Sequence, residues 1–345
     1  MDWIWILIAC IGGVSAVCLG IGALTGVYAV HKIYGRRYNG NPHIKYFSAN
    51  DFEGLSAEPV DFPSGDVTLR GYIYARQGQS KGVIIFSHGF GAGHTAYTTE
   101  IDRLTRAGYK VLAFDNTGCM RSGGEKLGGF DRGVADLLAA VAFARADDRL
   151  RGYAKMFVGH SWGAFSVMNA YPLAEDVVCA VAMCGFICGA DVLAQNVFGK
   201  LAPLRFAMAC VIRACMRARF KGNANYRSDR SLQTIAKPIL LLYGEKDGTV
   251  RYRWNGKKMA AAFAGHPYVR TKTYAGKGHN VYLTDEAEVR MHAVFGAIGK
   301  IAKKDKERAA AMYREVDYAA ITREDETVME EIVAFLDGNL PCERA

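Results

Sequence analysis

The chain has 345 residues, half of them hydrophobic, so it can form one large domain or two small ones around a sizeable core. Its formal net charge of +9 would suit a nucleic acid, an anionic membrane or an acidic substrate. The sequence has no zinc-finger spacing, base-reading basic helix or stacking-aromatic motif, so no nucleic-acid partner is expected.

The first element in chain order is an uncharged run of 28 residues, 3–30. As a helix, this run would measure about 42 Å, whereas a bilayer core needs only about 20 residues. A cleaved signal peptide would begin with a basic residue and would be shorter, but this chain begins Met-Asp-Trp. The pattern therefore predicts a transmembrane anchor over 1–31, with a signal peptide as the alternative.

Basic residues follow the run but do not precede it: Lys32, Arg36, Arg37 and Lys45. The positive-inside rule then places the rest of the chain in the cytoplasm, which gives a single-pass membrane protein. Inside the run, Gly22 and Gly26 have the small-xxx-small spacing that brings membrane helices together. The same spacing also arises simply because glycine is frequent in membrane helices.

A polar linker is predicted over 32–57, and the remaining residues, 58–345, are expected to form one domain. Its first two apolar runs flank Ser64-Gly65-Asp66 and predict an antiparallel hairpin. Later apolar runs predict six more strands: 83–87, 110–114, 155–159, 178–184, 239–243 and 270–274. Because segments of helical length separate most of them, the pattern indicates an α/β protein with a mostly parallel, eight-stranded sheet and helices on both faces. In such sheets, functional residues lie at the carboxyl ends of the strands.

The strand predicted at 155–159 leads into Gly159-His160-Ser161-Trp162-Gly163 and then into a helix-like stretch. A G-x-S-x-G pattern at a strand-to-helix turn holds the serine hydroxyl exposed on a sharp bend, and the flanking glycines let strand and helix approach closely. Ser161 is therefore the candidate nucleophile, with Gly159, His160 and Gly163 as supporting motif residues. A purely structural glycine–serine turn is the alternative interpretation.

A serine hydroxyl needs a base, and the base needs a carboxylate that fixes its tautomer. His279 follows the last predicted strand in a Gly-Lys-Gly-His-Asn segment, so a loop could place its imidazole on the serine. Asp247 follows the preceding strand, with Glu245 as a nearby rival and a surface salt bridge as the alternative role. The chain order Ser161, Asp247, His279 is found in α/β hydrolases.

The strand predicted at 83–87 ends in Ser87-His88-Gly89-Phe90-Gly91. A His88-Gly89 pair at this position turns the backbone so that the next N–H faces the serine. We therefore expect the N–H groups of Phe90 and Trp162 to form an oxyanion hole, in which each donor contributes about 10²–10³ in rate. An ordinary glycine turn is the alternative.

The motifs HGFG, DNTG…RSGG, GHSWG, GEKDGTV and GKGHN, in this order, resemble those of the α/β-hydrolase superfamily. The similarity covers about 58–340 and is greatest to bacterial serine hydrolases of the serine-aminopeptidase-like and esterase-like branch. Neither the motifs nor the resemblance implies a metal or organic cofactor. One loop departs from the superfamily pattern, because Thr117 and Met120 stand where arginine and glycine are usual. Dehalogenases and epoxide hydrolases of this fold have an aspartate at the elbow, whereas this chain has Ser161.

Two regions are expected to be insertions. Residues 187–236 occupy the position of a helical lid in this fold, and residues 285–325 have the mixed charge of solvated helices. The stretch 200–230 is basic, and its apolar residues recur at helical spacing, so one face could cover the pocket. Its cations are expected on the other faces, either solvated or close to an anionic membrane surface.

Together these features predict a serine hydrolase that cleaves a carboxylic ester through an acyl-enzyme, with a small-molecule acyl substrate that is lipid-like or anionic. Two alternatives stay open. A serine aminopeptidase would need an acidic residue near the pocket for the amine of its substrate. A non-catalytic binding protein of this fold would usually lack one of the three triad residues, whereas all three are present here.

Overall fold

The structure, a computed structural model, describes residues 2–199, 202–220 and 225–341. Parts of the predicted lid, 200–201 and 221–224, and Cys342 near the C-terminal end lie outside the described residues. The described strands are β1 (Ser56–Ser64), β2 (Val67–Ala75), β3 (Gly82–Ser87), β4 (Tyr109–Asp115), β5 (Lys155–His160), β6 (Val177–Met183), β7 (Ile239–Gly244) and β8 (Val269–Tyr274).

The described α-helices are α1 (Asp2–Tyr34), α2 (Thr98–Arg106), α3 (Arg132–Ala146), α4 (Trp162–Ala170), α5 (Gly189–Phe198), α6 (Ala202–Phe220), α7 (Ser228–Ser231), α8 (Gly256–Ala262), α9 (Asp285–Ala302), α10 (Lys306–Arg314), α11 (Tyr318–Ile321) and α12 (Glu326–Asp337). Helices α5, α6 and α7 lie in the region predicted as the lid, and α9, α10 and α11 lie in the second predicted insertion.

The strands form one sheet in the order β1-β2-β4-β3-β5-β6-β7-β8. β1 pairs antiparallel with β2, and β2 with β4, while the other pairs are parallel. In β3, the neighbours Ile84 and Ile85 are both fully buried but belong to different hydrophobic clusters, because adjacent residues point to opposite faces. The predicted mostly parallel, eight-stranded sheet is confirmed.

Helices cover both faces of this sheet, each through one apolar side. On one face, α3 and α4 contribute Leu137 and Val167 to the core, and on the other face α2 and α12 contribute Leu104 and Ile332. The buried strands therefore lie between two packed cores, which fix the strand ends that carry the motif loops.

Helix α1 has an exposed part and a docked part. Residues 3–21 are all exposed, and the helix is long and apolar enough to cross a membrane, a property that an N-terminal signal sequence shares. From Gly22 onward, one face is buried against the domain, and it includes Val30. Tyr34 is fully buried, with its ring centroid 5.1 Å from that of Phe130. The last turns of this helix are therefore part of the folded domain.

The residues that follow α1 are bound to the loop after β4. The Arg37 guanidinium donates to the carbonyl oxygens of Met120 and Ser122, both at 2.9 Å, and also to that of Gly124. The Met120 amide in turn donates to the Tyr38 carbonyl at 2.7 Å. Met120, which stands where glycine is usual, has a φ of +40°. The first residues of the predicted linker thus hold the loop that departs from the superfamily pattern.

Candidate active site

Ser161 lies on the turn between β5 and α4, with a φ of +57° and a ψ of −113°. A residue other than glycine rarely takes a positive φ, so the surrounding structure must hold this bend in place. The Ser161 amide is held by the Met183 carbonyl at 2.8 Å. At Gly163, an added Cβ would overlap the Ser87 carbonyl oxygen, so only glycine lets α4 lie this close to the end of β3.

His279 comes from the loop after β8 and faces this turn. Its Nε2 lies 2.9 Å from Ser161 Oγ, and its Nδ1 lies 2.7 Å from Asp247 Oδ2. At these distances the serine hydroxyl can donate to Nε2, while Nδ1–H donates to the carboxylate. The fold thus brings together the three predicted residues, although Ser161 is 118 positions and Asp247 is 32 positions from His279 along the chain.

Asp247 is held in place directly after β7. Its Oδ1 accepts from the Thr249 and Val250 amides at 2.9 and 2.8 Å, which leaves Oδ2 for His279. Burial acts to raise the pKa of this carboxyl, but the hydrogen bond and charge of His279, with the two amides, outweigh burial and leave the pKa below its usual value. Asp247 is therefore ionised at neutral pH, whereas the rival Glu245 is exposed.

The loop after β3 is ordered by His88 and Gly89. His88 Nε2 accepts from the Asn116 amide at 3.0 Å, so Nδ1 carries the proton and donates to the Gly89 carbonyl at 2.7 Å. Burial lowers the pKa of His88, which keeps its ring neutral. An added Cβ at Gly89 would lie 2.5 Å from Tyr97 Oη and 3.4 Å from Ser161 Cβ, so the loop packs directly on the elbow.

Phe90 follows Gly89 in this loop, and Trp162 follows Ser161 at the first position of α4. Within the described part of the chain, neither backbone N–H donates to a protein acceptor. For Trp162 this is usual, because it is the first residue of a helix. The Trp162 ring is fully buried, and its centroid lies 6.4 Å from that of Phe90. Among the described residues, no protein acceptor therefore engages the two predicted oxyanion donors.

A chain of hydrogen bonds connects this loop to the loop of His279. The Gly89 N–H donates to Tyr97 Oη at 3.0 Å, and the Tyr97 hydroxyl donates to His160 Nδ1 at 2.9 Å. His160 Nε2–H then donates to the backbone carbonyl of His279 at 3.0 Å. The directions are fixed because an amide N–H only donates and a carbonyl only accepts. Tyr97 belongs to none of the sequence motifs, so sequence reasoning did not find it.

This hydrogen-bond chain requires a neutral His160. Burial, and next the charge of nearby His279, lower the pKa of His160 from its ordinary 6.5 to about 3. Between these two values the unfolded chain binds more protons at this residue than the folded chain does. The free energy of unfolding should therefore fall as the pH drops below 6.5. At pH 5, His160 alone should lower it by about 2 kcal/mol.

We expect His160→Gln to show a shallower fall of the thermal unfolding midpoint between pH 7 and pH 5, because glutamine does not titrate. The measurement is unfolding of the full-length protein in detergent, followed by circular dichroism. The control is His292→Gln, since His292 is largely exposed on α9 and lies outside the hydrogen-bond chain. Equal pH dependence in the His160 variant and the parent would contradict a buried, neutral His160.

Cys184 lies close to the Asp247–His279 pair, and the candidate ligand atoms of all three are within 4.8 Å of one another. Burial raises the pKa of the Cys184 thiol well above its ordinary value, so the thiol stays protonated and is a poor metal ligand. His279 and Asp247 already hydrogen-bond to each other. Among the described residues, Cys184, Asp247 and His279 are therefore better explained as a hydrogen-bonded Asp–His pair beside a buried thiol than as the ligands of a metal ion.

The sequence model of a family described as "Serine aminopeptidase, S33" matches residues 78–228. The matched segment includes the loop after β3 and the elbow but ends before Asp247 and His279. The curated relative epoxide hydrolase A of Mycobacterium tuberculosis is 37% identical over 103 residues. These residues make up 29% of this chain and 30% of that protein, so the chain matches less than a third of the length of this relative.

Solved structures of two esterases have a similar fold. The Pyrococcus furiosus esterase Pf2001 gives a TM-score of 0.57 at 20% identity, over 78% of this chain and 98% of its own. Est1E of Butyrivibrio proteoclasticus, solved with ferulic acid bound, gives a TM-score of 0.54 at 17% identity, over 81% of this chain and 98% of its own. At these identities the likeness concerns the fold. Together with the sheet order and the strand-to-helix elbow, it shows that the domain has the α/β-hydrolase fold.

Proposed function

We propose that the protein is a serine hydrolase that cleaves carboxylic esters through an acyl-enzyme. The observation that carries this proposal is the pair of hydrogen bonds, 2.9 and 2.7 Å long, that joins Ser161, His279 and Asp247. Ser161 supplies the nucleophile, His279 the base, and Asp247 the carboxylate that fixes the imidazole tautomer and stabilises its cation.

In the first step, Ser161 Oγ attacks the carbonyl carbon of the ester, and its proton passes to His279 Nε2. The carbonyl oxygen becomes an oxyanion, to which the N–H groups of Phe90 and Trp162 donate. The intermediate then collapses, the C–O bond to the alcohol breaks, and the imidazolium gives its proton to the departing oxygen. Water, deprotonated by His279, attacks the acyl-enzyme and releases the acid and the free serine.

The hydrogen-bond chain through Tyr97 and His160 supports this chemistry by holding two loops together. One end is Gly89, next to the oxyanion donor Phe90, and the other end is the main chain of His279. A displacement of about 1 Å in either loop would cost about 10²-fold in rate. Tyr97 and His160 are therefore positioning residues and not groups that touch the substrate.

An aminopeptidase needs an acidic residue that binds the free amine of its peptide substrate. Two acids, Asp131 and Asp191, are candidates, but both already contact other groups of the protein, which favours an ester substrate. Asp131, next to Phe130, whose ring packs on Trp162, accepts from the Tyr226 amide at 3.1 Å. Asp191 in α5 pairs with Arg213 at 3.2 Å. Asp191 is thus ion-paired, and burial raises the pKa of Asp131 to about 6, so both are poor partners for a substrate ammonium group, which an aminopeptidase would need.

The test compares ester and amide turnover by the full-length protein in detergent. We expect hydrolysis of p-nitrophenyl esters at a rate that depends on acyl length, slower release from aminoacyl p-nitroanilides, and fluorophosphonate labelling at Ser161, located by mass spectrometry. Faster cleavage of the aminoacyl amides than of every ester would favour the aminopeptidase. Absence of turnover and labelling would favour a non-catalytic binding protein.

We also propose that α1 anchors this hydrolase to a membrane in a single pass, with the domain in the cytoplasm. The support is the exposed apolar part of α1 and the basic residues that follow it. The proposed organisation is an anchor over 1–31, a linker over 32–57 and a hydrolase domain over 58–345, to which Tyr34 is docked.

A further inference from the structure

Helix α6 runs parallel to the docked part of α1. Three contacts define their register: Gly26 with Ile212, His31 with Arg219, and Tyr34 with Phe220. The residue numbers rise together along both helices, so the two helices point the same way. At Gly26, an added Cβ would lie 3.3 Å from the Ile212 side chain, so the small residue allows the close approach.

This register fixes the depth of α6 relative to the exposed part of α1. The paired residues differ by 186 to 188 in number, and the same offset places Phe206 level with residues 18–20. Residues 3–21, which are all exposed, measure about 28 Å as a helix, close to the hydrocarbon thickness of about 30 Å. A membrane crossed by α1 would therefore end near Gly22, level with the first turns of α6.

The outward face of α6 is apolar at this end and basic at the other. Phe206 is 74% exposed, and the exposed residues Cys210 and Ala214 follow it at four-residue spacing on the same face. Toward the C-terminal end of α6, the exposed residues include Arg217 and Arg219. This order suits a helix that begins against lipid tails and leaves the membrane toward its basic C-terminal end.

Two cations near the apolar end of α6 are turned toward the protein. The Arg205 guanidinium lies 4.2 Å from the centroid of the Trp254 ring, and Arg213 pairs with Asp191 at 3.2 Å. The basic pattern of 200–230 predicts cations that are solvated or near an anionic membrane, but Arg205 and Arg213 both contact neighbouring side chains. The exposed residues described between 206 and 214 therefore carry no charge.

We propose that the face of α6 formed by Phe206, Cys210 and Ala214 rests on the bilayer that α1 spans, and that the ester substrate is a lipid-like amphiphile taken from that bilayer. The first part rests on the geometry of α1 and α6 and on the proposed membrane span of α1. The second part rests on the proposed function, because it names the substrate class of the Ser161 site.

A cluster of packed aromatic rings connects the α1–α6 contact to this site. The Phe130 ring lies 5.1 Å from Tyr34 on one side, and 5.6 and 5.7 Å from Trp162 and Phe90 on the other. Tyr34, Phe130 and Trp162 are buried in this cluster, whereas Phe90 is 39% exposed. The exposed Phe90 ring offers an apolar surface beside the elbow that suits the acyl chain of a lipid-like ester.

The membrane contact is tested with the full-length protein in nanodiscs of phosphatidylcholine and phosphatidylglycerol. Photoreactive benzoylphenylalanine replaces Phe206, Leu7 in α1, or Val289, which is 69% exposed on α9. We expect lipid adducts at positions 206 and 7 and only background at 289. The first part of the proposal is overturned if position 206 gives no more lipid adduct than position 289.

The substrate class is tested with Phe206→Ser and the matched control Val289→Ser. Phe206→Ser should slow hydrolysis of a long-chain ester carried in the nanodisc by about tenfold, because the helix loses apolar contact with lipid. It should leave hydrolysis of a soluble short-chain ester unchanged, and the control should change neither rate. Equal effects of Phe206→Ser on both esters would overturn the second part. Failure of the parent to hydrolyse any ester would refute the proposed function, while the crosslinking result would stand.

Discussion

Ser161→Ala is expected to lower ester turnover by about 10⁴- to 10⁶-fold and to abolish labelling by a fluorophosphonate. The variant lacks the Oγ that lies 2.9 Å from His279 Nε2, so no acyl-enzyme can form. Alanine should keep the elbow, because the bend is held by the backbone contact with Met183 and by the packing of Gly163. Initial rates on a short-chain ester, with circular dichroism as a check of folding, measure the effect.

The matched control is Ser166→Ala in α4, the helix that follows Ser161. Ser166 is also buried, but its hydroxyl donates to the Trp162 carbonyl at 3.1 Å and does not reach His279. Its loss should change turnover little and cost about 1 kcal/mol of stability. Undiminished turnover in Ser161→Ala would remove the covalent mechanism and the triad with it.

Asp247→Asn is expected to lower kcat by about 10⁴-fold with little change in KM. The asparagine can still accept from the Thr249 and Val250 amides, but its NH₂ group would then face His279 Nδ1. The imidazole would have to carry its proton on Nε2 and could no longer accept the Ser161 proton there. Steady-state rates on a soluble ester separate this effect from substrate binding.

Glu245→Gln serves as the control for this prediction, because Glu245 is an exposed acid two residues earlier in the same loop. Loss of an exposed charge should alter kcat by less than about twofold. If the Glu245 variant were inactive and the Asp247 variant active, the carboxylate of the triad would have to be reassigned.

The sheet and the alignment of Ser161, Asp247 and His279 could be predicted because their signals are local. Ser161 and Asp247 closely follow apolar runs, and His279 follows the last predicted strand. Parallel strands bring their carboxyl ends to one edge of a sheet. The strand pattern and the chain order were therefore enough to predict that Ser161 and His279, which are 118 positions apart, lie close together. The mainly antiparallel start of the sheet was marked by its turn, Ser64-Gly65-Asp66.

Contacts between elements that are distant in sequence could not be predicted in this way. The role of Tyr97 depends on Gly89 and His160 lying within 3.0 Å of its hydroxyl, which only the packing of whole elements decides. Gly26 carried a signal for close helix packing, but periodicity does not identify the partner, which is Ile212 of α6. For the same reason Arg37 was assigned to a polar linker, although its guanidinium is bonded to the loop after β4.

During synthesis, α1 leaves the ribosome long before the surfaces that it contacts. Tyr34 packs on Phe130 and on Phe220, and the second of these is made 186 residues later. At about 5–20 residues per second, that interval lasts about 10–40 s. If α1 is already inserted in the bilayer, as proposed, its docking face has no packing partner until the sheet and the elbow have been translated. The hydrolase domain should therefore complete its fold at the membrane, where the inserted helix is the first fixed surface on which later helices assemble.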